Sequence, residues 1–216
     1  MSTSETTELE DPAWGPVESD TPPGGWPLCD RGSADSDGVR FAGARIDTLV
    51  LCQGEVIKLG PVRFGPGQAR RSLVSEVLRG THLVFAPLGE RPLLLGLVRL
   101  ENTGAEPICA EYTETWDVRD GVYRAATGAC ERRGPDAIWA LADASAVIAA
   151  VPPEPAPRVG LALDLRIPLP PGARRELSFA YVRCEPPEEP AILVRAWRGD
   201  VAVELARSVR ARAAAS

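Results

Sequence analysis

Residues 92–104 read PLLLGLVRLENTG, and the apolar part of this stretch ends at the turn signal NTG. A short apolar run bounded by turn residues predicts a buried β-strand. The next stretch, 108–118, reads ICAEYTETWDV, and Asp-Gly at 120–121 predicts a tight turn into a short strand at 122–124. Successive strands joined by short turns predict an antiparallel sheet in the middle of the chain.

Strand-like segments of similar length occur on both sides of this centre. Turns are predicted at Gln53-Gly54, at Arg79-Gly80 and in the proline-rich stretch 168–172. Because no helical pattern lies between these segments, the spacing predicts a mainly β fold, an antiparallel β-sandwich. The remaining predicted strands lie at 46–51, 55–59, 72–78, 82–86, 137–141, 146–151, 159–167 and 175–184.

The pattern changes near Pro187, where a helical tail is predicted. The stretch PPEEP at 186–190 is typical of a helix start, because early carboxylates lie favourably against the helix dipole. Apolar residues then recur at helical spacing on both sides of Gly199. Such an amphipathic tail needs a surface to lie on, either its own sheet or a partner. The residues predicted to pack on that surface are Ile192, Leu193, Trp197, Val201 and Leu205.

Three regions follow from these patterns. Residues 1–37 are acidic and rich in Pro, Gly and Ser, which predicts a flexible N-terminal arm. Residues 38–186 form the predicted β-sandwich, and residues 187–216 form the predicted C-terminal helices.

Charge and hydropathy limit the partners and the location. The net charge of −6 argues against nucleic acid, because phosphate binding needs a concentrated basic surface, and against docking on an anionic membrane. The sequence has no run of about 20 apolar residues that could cross a bilayer. Residues 1–10 lack the basic start and apolar core of a secretory signal, so we expect a cytoplasmic protein.

No metal, cofactor or catalytic motif is recognisable. The five cysteines are widely scattered without a CxxC or Cys/His cluster, which predicts free thiols and no metal site. The glycine-rich stretch 60–67 lacks a lysine and contains prolines without amide donors, so we expect a loop rather than a phosphate cradle. Because G-x-S-x-G is also absent, we assign no catalytic residue and no cofactor.

Three segments in this order resemble a known family. The strand and turn at 92–104, followed by the aromatic and charged strand 109–118, resemble the N-terminal supersandwich domains of glycoside phosphorylases and related (α/α)6-barrel glycosidases. The segment LPPGARRELSFAY at 169–181 is similar to a later part of those domains, and AILVRAWRG at 191–199 resembles their linker helices. The resemblance covers roughly residues 70–210.

The resemblance implies a supersandwich-like β-sandwich followed by linker helices. The family's catalytic carboxylates lie in the barrel, and this sequence ends where that barrel would begin, so no catalytic residue carries over. We therefore expect a non-catalytic accessory module, either a stand-alone relative or one part of a split enzyme. Its expected partner is a catalytic barrel or a second copy of the chain.

A sugar-binding module is the first alternative. On an extended strand, Tyr112, Glu114 and Trp116 share one face. Aromatic rings stack on sugar faces, and a carboxylate between them could accept hydrogen bonds from sugar hydroxyls. The competing interpretation is that Tyr112 and Trp116 pack inside the sandwich and that Glu114 pairs with an arginine.

A mutarotase-like epimerase is the second alternative. His82 is the only histidine in the chain and would serve as the base. Such enzymes combine histidine with a carboxylate, and no second candidate lies near His82 in sequence. A packed or half-exposed structural histidine is the simpler interpretation.

Overall fold

The structure, a computed structural model, describes residues 25–29, 32–36, 38–41, 44–65, 67–89, 93–116, 121–124, 129–133, 138–143, 161–184 and 201–215. Within these ranges the chain forms strands followed by a C-terminal helix. The elements are β1 (Trp26–Cys29), β2 (Gly32–Asp35), β3 (Gly38–Phe41), β4 (Ala44–Cys52), β5 (Glu55–Val56), β6 (Arg63–Gly65), β7 (Gln68–Val74), β8 (Leu78–Phe85), β9 (Leu93–Asn102), β10 (Ile108–Trp116), β11 (Gly121–Arg124), β12 (Ala129–Arg133), β13 (Ile138–Asp143), β14 (Leu161–Leu169), β15 (Arg174–Cys184) and α1 (Val201–Ala215).

The strands form two antiparallel sheets. The seven-stranded sheet has the order β1-β2-β3-β4-β10-β14, with β5 paired to β4. The eight-stranded sheet has the order β11-β12-β13-β15-β9-β8-β7-β6. The predicted antiparallel β-sandwich with a C-terminal helical tail is therefore confirmed.

The two sheets pack face to face around an apolar core, which we call the inter-sheet core. Leu94 and Val98 of β9 lie in this core, whereas Leu93, Leu95 and Leu97 lie on the opposite face of the same strand. Because side chains alternate along a strand, β9 is apolar on both faces. It therefore occupies the middle of three layers, between the seven-stranded sheet and α1.

The helix α1 covers the outer face of the eight-stranded sheet. Val201 and Leu205, four residues apart, are each 1% exposed. Burial of each such side chain contributes about 1.5–3 kcal/mol. The side chains around them, which we call the helix-side core, are Leu83, Phe85, Leu93, Leu95, Leu97, Ala180 and Val182, with Val209 packed alongside.

Two polar contacts fix where α1 lies on the sheet. The backbone N–H of Leu88 donates to Glu204 Oε1 at 3.3 Å. The Arg212 guanidinium donates to the carbonyl of Ala86 at 2.9 Å. Both contacts reach the residues that follow β8, so α1 is attached there as well as through its apolar face.

The turn signal after β9 is fixed by Asn102, which is fully buried. Its amide nitrogen donates to the carbonyls of Glu106 and Leu169, at 2.8 and 2.9 Å. Its amide oxygen accepts the backbone N–H of Gly104 at 2.9 Å. One side chain thus satisfies three backbone groups and ties the β9–β10 turn to the end of β14.

The first difference from the sequence prediction lies in the N-terminal region. Strands β1 and β2 fall inside the stretch 1–37 that composition predicted as a flexible arm. Leu28 and Ala34 from these strands are buried in the inter-sheet core. Composition averages over a segment, so it missed these two apolar positions at the edge of the seven-stranded sheet.

The turn between β7 and β8 is the second difference. The sequence predicted a turn at Arg79-Gly80, whereas β7 ends at Val74 and β8 begins at Leu78. Ser75 closes the observed turn, because its Oγ accepts the N–H of Leu78 at 3.0 Å. Gly80 lies within β8 instead, where a Cβ would meet the carbonyl oxygen of Arg99 at 2.5 Å. Gly80 therefore marks a close approach of two strands.

The glycine-rich stretch 60–67 is the third difference. It was predicted as a loop, but Arg63–Gly65 forms β6, which pairs with the start of β7. A short edge strand tolerates the flanking prolines because only one of its sides needs backbone donors. The strand predicted at 146–151 lies outside the described residues.

Candidate functional site

A carboxylate lies inside the sandwich. Glu114 sits on β10 opposite Thr48 of β4 and has no exposed surface. The phenol of Tyr112, two residues earlier on the same face of β10, donates to Glu114 Oε1 at 2.5 Å. The phenol of Tyr181 donates to the same oxygen at 2.6 Å. Because both phenols donate to the same oxygen, these two hydrogen bonds hold the Glu114 side chain in place.

Tyr181 reaches Glu114 from the opposite sheet. It lies on β15, next to β9 in the eight-stranded sheet, and is fully buried. A Cβ on Gly96 of β9 would lie 3.2 Å from the Tyr181 ring and hydroxyl. The missing side chain at Gly96 therefore makes room for the tyrosine ring across the inner face of β9. Through Tyr181, the carboxylate joins the two sheets.

His82 packs beside this carboxylate–phenol group. It lies on β8, is 6% exposed, and meets the Tyr112 ring edge-on with 6.2 Å between ring centroids. Its Nε2 is buried and has no hydrogen-bond partner among the described residues. Burial, together with the positive charge of Arg71, lowers the pKa of His82 from 6.5 to about 4. The imidazole is therefore neutral at physiological pH.

Arg71 brings a positive charge to the same side of the sandwich. It pairs directly with His82 across β7 and β8. Its guanidinium donates to the carbonyl of Ser36, which follows β2 in the seven-stranded sheet, at 3.1 Å. Arg71 therefore also connects the two sheets, near the edge of the sandwich.

A cavity of about 80 Å³ lies beside Arg71 and His82. Ligand pockets for drug-sized molecules are about 300–1,000 Å³, so this cavity is small by comparison. Its polar lining consists of Thr48, Asp47, Arg71 and His82. Its remaining lining consists of Ala34, Gly38, Val39, Ile46, Val62, Ala69 and Val84.

The proposed sugar platform is placed differently from the sequence expectation. The structure brings Tyr112 and Glu114 together, but both are fully buried between the sheets rather than on a surface. Tyr112 stacks on Phe179, with 5.3 Å between ring centroids. A sugar cannot stack on a ring that is already covered. Trp116 is the last residue of β10, and the structure describes its backbone but not its side chain.

The predicted partner-packing residues divide into two groups. Val201 and Leu205 lie against the chain's own eight-stranded sheet, where they are almost fully buried. Ile192, Leu193 and Trp197 lie outside the described residues. The tail therefore uses part of its apolar face within the chain.

Sequence reasoning missed Tyr181 as the second donor to Glu114. The available signal was Gly96 in the middle of an apolar strand, since a glycine there often marks the close approach of another group. It also missed Arg71, whose cross-strand pairing with His82 depends on the position of the β7–β8 turn.

In the described part of the chain, no cluster of three or more His, Cys, Asp or Glu residues could hold a metal ion. Cys52 and Cys109 are free thiols. Within the same ranges, no helix has the length and apolar character needed to cross a membrane.

Comparison with known proteins gives a likeness of fold. No family model matches the chain, and no curated protein matches it. A similar fold occurs in a solved structure described as "Putative kojibiose phosphorylase from human microbiome", with a TM-score of 0.51 and 5% sequence identity. The likeness covers 76% of this chain and 27% of that protein. The chain thus corresponds to little more than a quarter of the larger protein, and at this identity the likeness concerns the fold alone.

Proposed function

We propose that this chain is a non-catalytic accessory β-sandwich related to carbohydrate-active enzymes, which works by packing on a partner domain or subunit. The observation that carries the proposal is the fold shared with 27% of a larger phosphorylase-like protein. There the sandwich is one part of a longer chain. A sandwich with this architecture is therefore suited to contact a further domain, here a catalytic barrel or a second copy of the chain.

The interior of the sandwich supports a structural role for its ionisable groups. Glu114 accepts hydrogen bonds from Tyr112 and Tyr181, and all three side chains are fully buried. The neighbouring cavity of about 80 Å³ is small for a sugar. This placement favours neither a sugar-binding platform on Tyr112, Glu114 and Trp116 nor an epimerase based on His82.

The surface offers an apolar corner for a partner. Leu88 is 40% exposed and Val203 is 68% exposed. Leu88 donates its backbone N–H to Glu204 near the start of α1, and Val203 is the residue before Glu204 in that helix. Large exposed apolar side chains at one place are typical of contact surfaces. The predicted packing residues Ile192, Leu193 and Trp197 precede this corner in sequence and would extend the same contact.

The test uses the isolated chain. We expect it either to self-associate in sedimentation equilibrium or to bind an apolar fluorescent dye, because its contact surface is uncovered. Changing Leu88→Glu and Val203→Glu together should weaken that behaviour. Val74→Glu is the matched control, since Val74 is 42% exposed and ends β7 beside Arg79 at the start of β8, whereas Leu88 follows the end of β8.

A chain that stays monomeric, binds no dye and does not respond to the double change would contradict the proposal. An equal response to Val74→Glu would show general surface stickiness and would also count against the corner.

A further inference from the structure

Strand β14 lies at one edge of the seven-stranded sheet. All nine of its residues, Leu161–Leu169, have partners on β10. Within the described ranges, no strand pairs with β14 along its other side. This open edge therefore offers a row of backbone donors and acceptors to a further strand.

Pro168 indicates which backbone groups point to the open edge. Proline has no N–H, so inside a sheet it lies where that group would face away from the paired strand. Its partner on β10 is Cys109. Backbone groups alternate between the two sides of a strand, so those of Ala162, Asp164 and Arg166 also face the open edge. Pro168 lacks a donor near the end of the strand, which limits how far pairing can extend.

The sequence of β14 is complementary to itself in the antiparallel direction. The strand reads LALDLRIPL, with Leu165 at its centre. In an antiparallel pair centred there, Arg166 faces Asp164 of the second copy, and symmetry produces this contact twice. Positions 161, 163, 165, 167 and 169 hold only leucine and isoleucine, so each of them faces another apolar residue. Opposite charges and matched apolar residues both favour cross-strand pairing.

The Arg166 guanidinium is well placed for such a contact. Its side chain is 83% exposed. Glu111, directly opposite on β10, has a carboxylate oxygen 3.9 Å from the guanidinium. An exposed ion pair of this length is weak, and a guanidinium carries five N–H donors, so Arg166 can contact a second carboxylate as well.

We propose that two copies of this chain associate through β14, which pairs antiparallel with β14 of the second copy and joins the two seven-stranded sheets. Leu165 and Ile167 are already buried in the inter-sheet core. The contact therefore rests on backbone hydrogen bonds and on the two Arg166–Asp164 pairs, and the dimer is weak and sensitive to salt. This interface goes beyond the proposed function, because the apolar corner beside α1 belongs to the eight-stranded sheet.

Reversal of single charges tests the proposal. Sedimentation equilibrium measures association of the full chain, of Arg166→Asp and of Asp164→Arg. Each reversal places like charges opposite each other twice, so the dimer should weaken about tenfold. An equimolar mixture of the two variants should instead form a mixed dimer about as strong as that of the unchanged chain, because opposite charges face each other again. This rescue also shows that both variants are folded.

Two controls separate this interface from other causes of association. Lys58→Asp makes the same change of charge, and Lys58 is exposed and follows β5, which pairs with β4. It should leave the dimer unchanged. The charge reversals are then repeated in a chain that carries Leu88→Glu and Val203→Glu, where association through the apolar corner is weakened. They should have the same effects there, whether or not the proposed function holds.

The outcomes that would overturn the proposal are specific to β14. They are the absence of a dimer of the unchanged chain up to about 1 mM, where even a weak contact is populated, and an unchanged dimer in either single reversal. Failure of the two variants to form a mixed dimer would also overturn it, as would an equal loss in Lys58→Asp. So would charge effects that disappear in the Leu88→Glu and Val203→Glu background.

Discussion

The two faces of the eight-stranded sheet differ in how they use polar side chains. On the inner face, Tyr181, His82 and Arg71 lie between the sheets, and Glu114 of the other sheet meets Tyr181 there. On the outer face, the apolar helix-side core is bordered by the buried polar side chains of Gln68, Arg70 and Thr81, and by Glu204 and Ser208 of α1. There Glu204 accepts hydrogen bonds from the N–H of Leu88 and from the hydroxyl of Ser208, both at 3.3 Å.

This difference shows how the neighbouring layer is held on each face of the sheet. An apolar contact can form and open with little geometric demand, whereas a buried carboxylate needs its donors at defined positions. Glu114 therefore fixes the relative position of the two sheets. The helix α1 is held mainly by the apolar surface that it buries against the eight-stranded sheet. We expect a change in the inter-sheet region to destabilise the whole fold, and a change in the helix-side core to act mainly on α1.

The largest expected effect is that of Glu114→Ala. It leaves the phenols of Tyr112 and Tyr181 without their acceptor and opens a cavity, which together should cost about 2–5 kcal/mol of unfolding free energy. Denaturant unfolding measures the loss, and amide hydrogen exchange should accelerate in both sheets. Thr115→Ala, an exposed neighbour on β10, is the control and should change stability by less than about 0.5 kcal/mol. Equal effects from the two changes would contradict the role given to Glu114.

His82 should make stability depend on pH. Its pKa is about 4 in the folded chain and 6.5 as a model value. Above pH 6.5 both states are neutral. As the pH falls from 6.5 to 4, the unfolded chain takes up a proton that the folded chain does not, so stability decreases by about 3 kcal/mol and then levels off.

The measurement for His82 is the unfolding free energy at several pH values, compared with that of His82→Gln. Carboxylates titrate near the lower end of this range in both proteins, so the difference between the two curves isolates the histidine. That difference should shift steadily between pH 6.5 and 4. Parallel curves over the whole range would show that burial of His82 has no cost for its charged form.

A smaller and more local effect is expected for Leu205→Ala in the helix-side core. The lost contacts should cost about 2–3 kcal/mol, at the lower end for buried leucines because the surface helix can readjust. Hydrogen exchange should accelerate in α1 and much less in β10. Val203→Ala, on the exposed side of the same helix, should leave exchange in α1 unchanged. Equal acceleration in both sheets would show that α1 and the sandwich unfold as one unit.

The fold could largely be predicted from the sequence, because strand and turn periodicity is a local property. The apolar strand that precedes the NTG turn and the helical spacing of Val201, Leu205 and Val209 both match observed elements, whereas the helix start predicted at 186–190 lies outside the described residues. The β7–β8 turn was misplaced because Gly80 resembles a turn residue but serves a close contact between strands. Local patterns do not distinguish these two uses of glycine.

The candidate site was harder to predict because it depends on contacts between distant segments. Alternation placed Tyr112 and Glu114 on one face of β10, but it could not tell whether that face was the inside or the outside. The partner of Glu114 is Tyr181, 67 residues away in sequence. Arg71, which was not among the predicted site residues, lies beside His82 only because β7 and β8 pair in one register.

A double-mutant cycle on Glu114 and Tyr181 tests most directly whether this carboxylate ties the sheets together. Unfolding free energies are measured for the chain, for Glu114→Ala, for Tyr181→Phe and for both changes together. We predict a coupling of about 1–3 kcal/mol, because the second change removes little once the bond is lost. Additive effects, within about 0.5 kcal/mol, would contradict the account and show that Glu114 does not join the sheets through Tyr181.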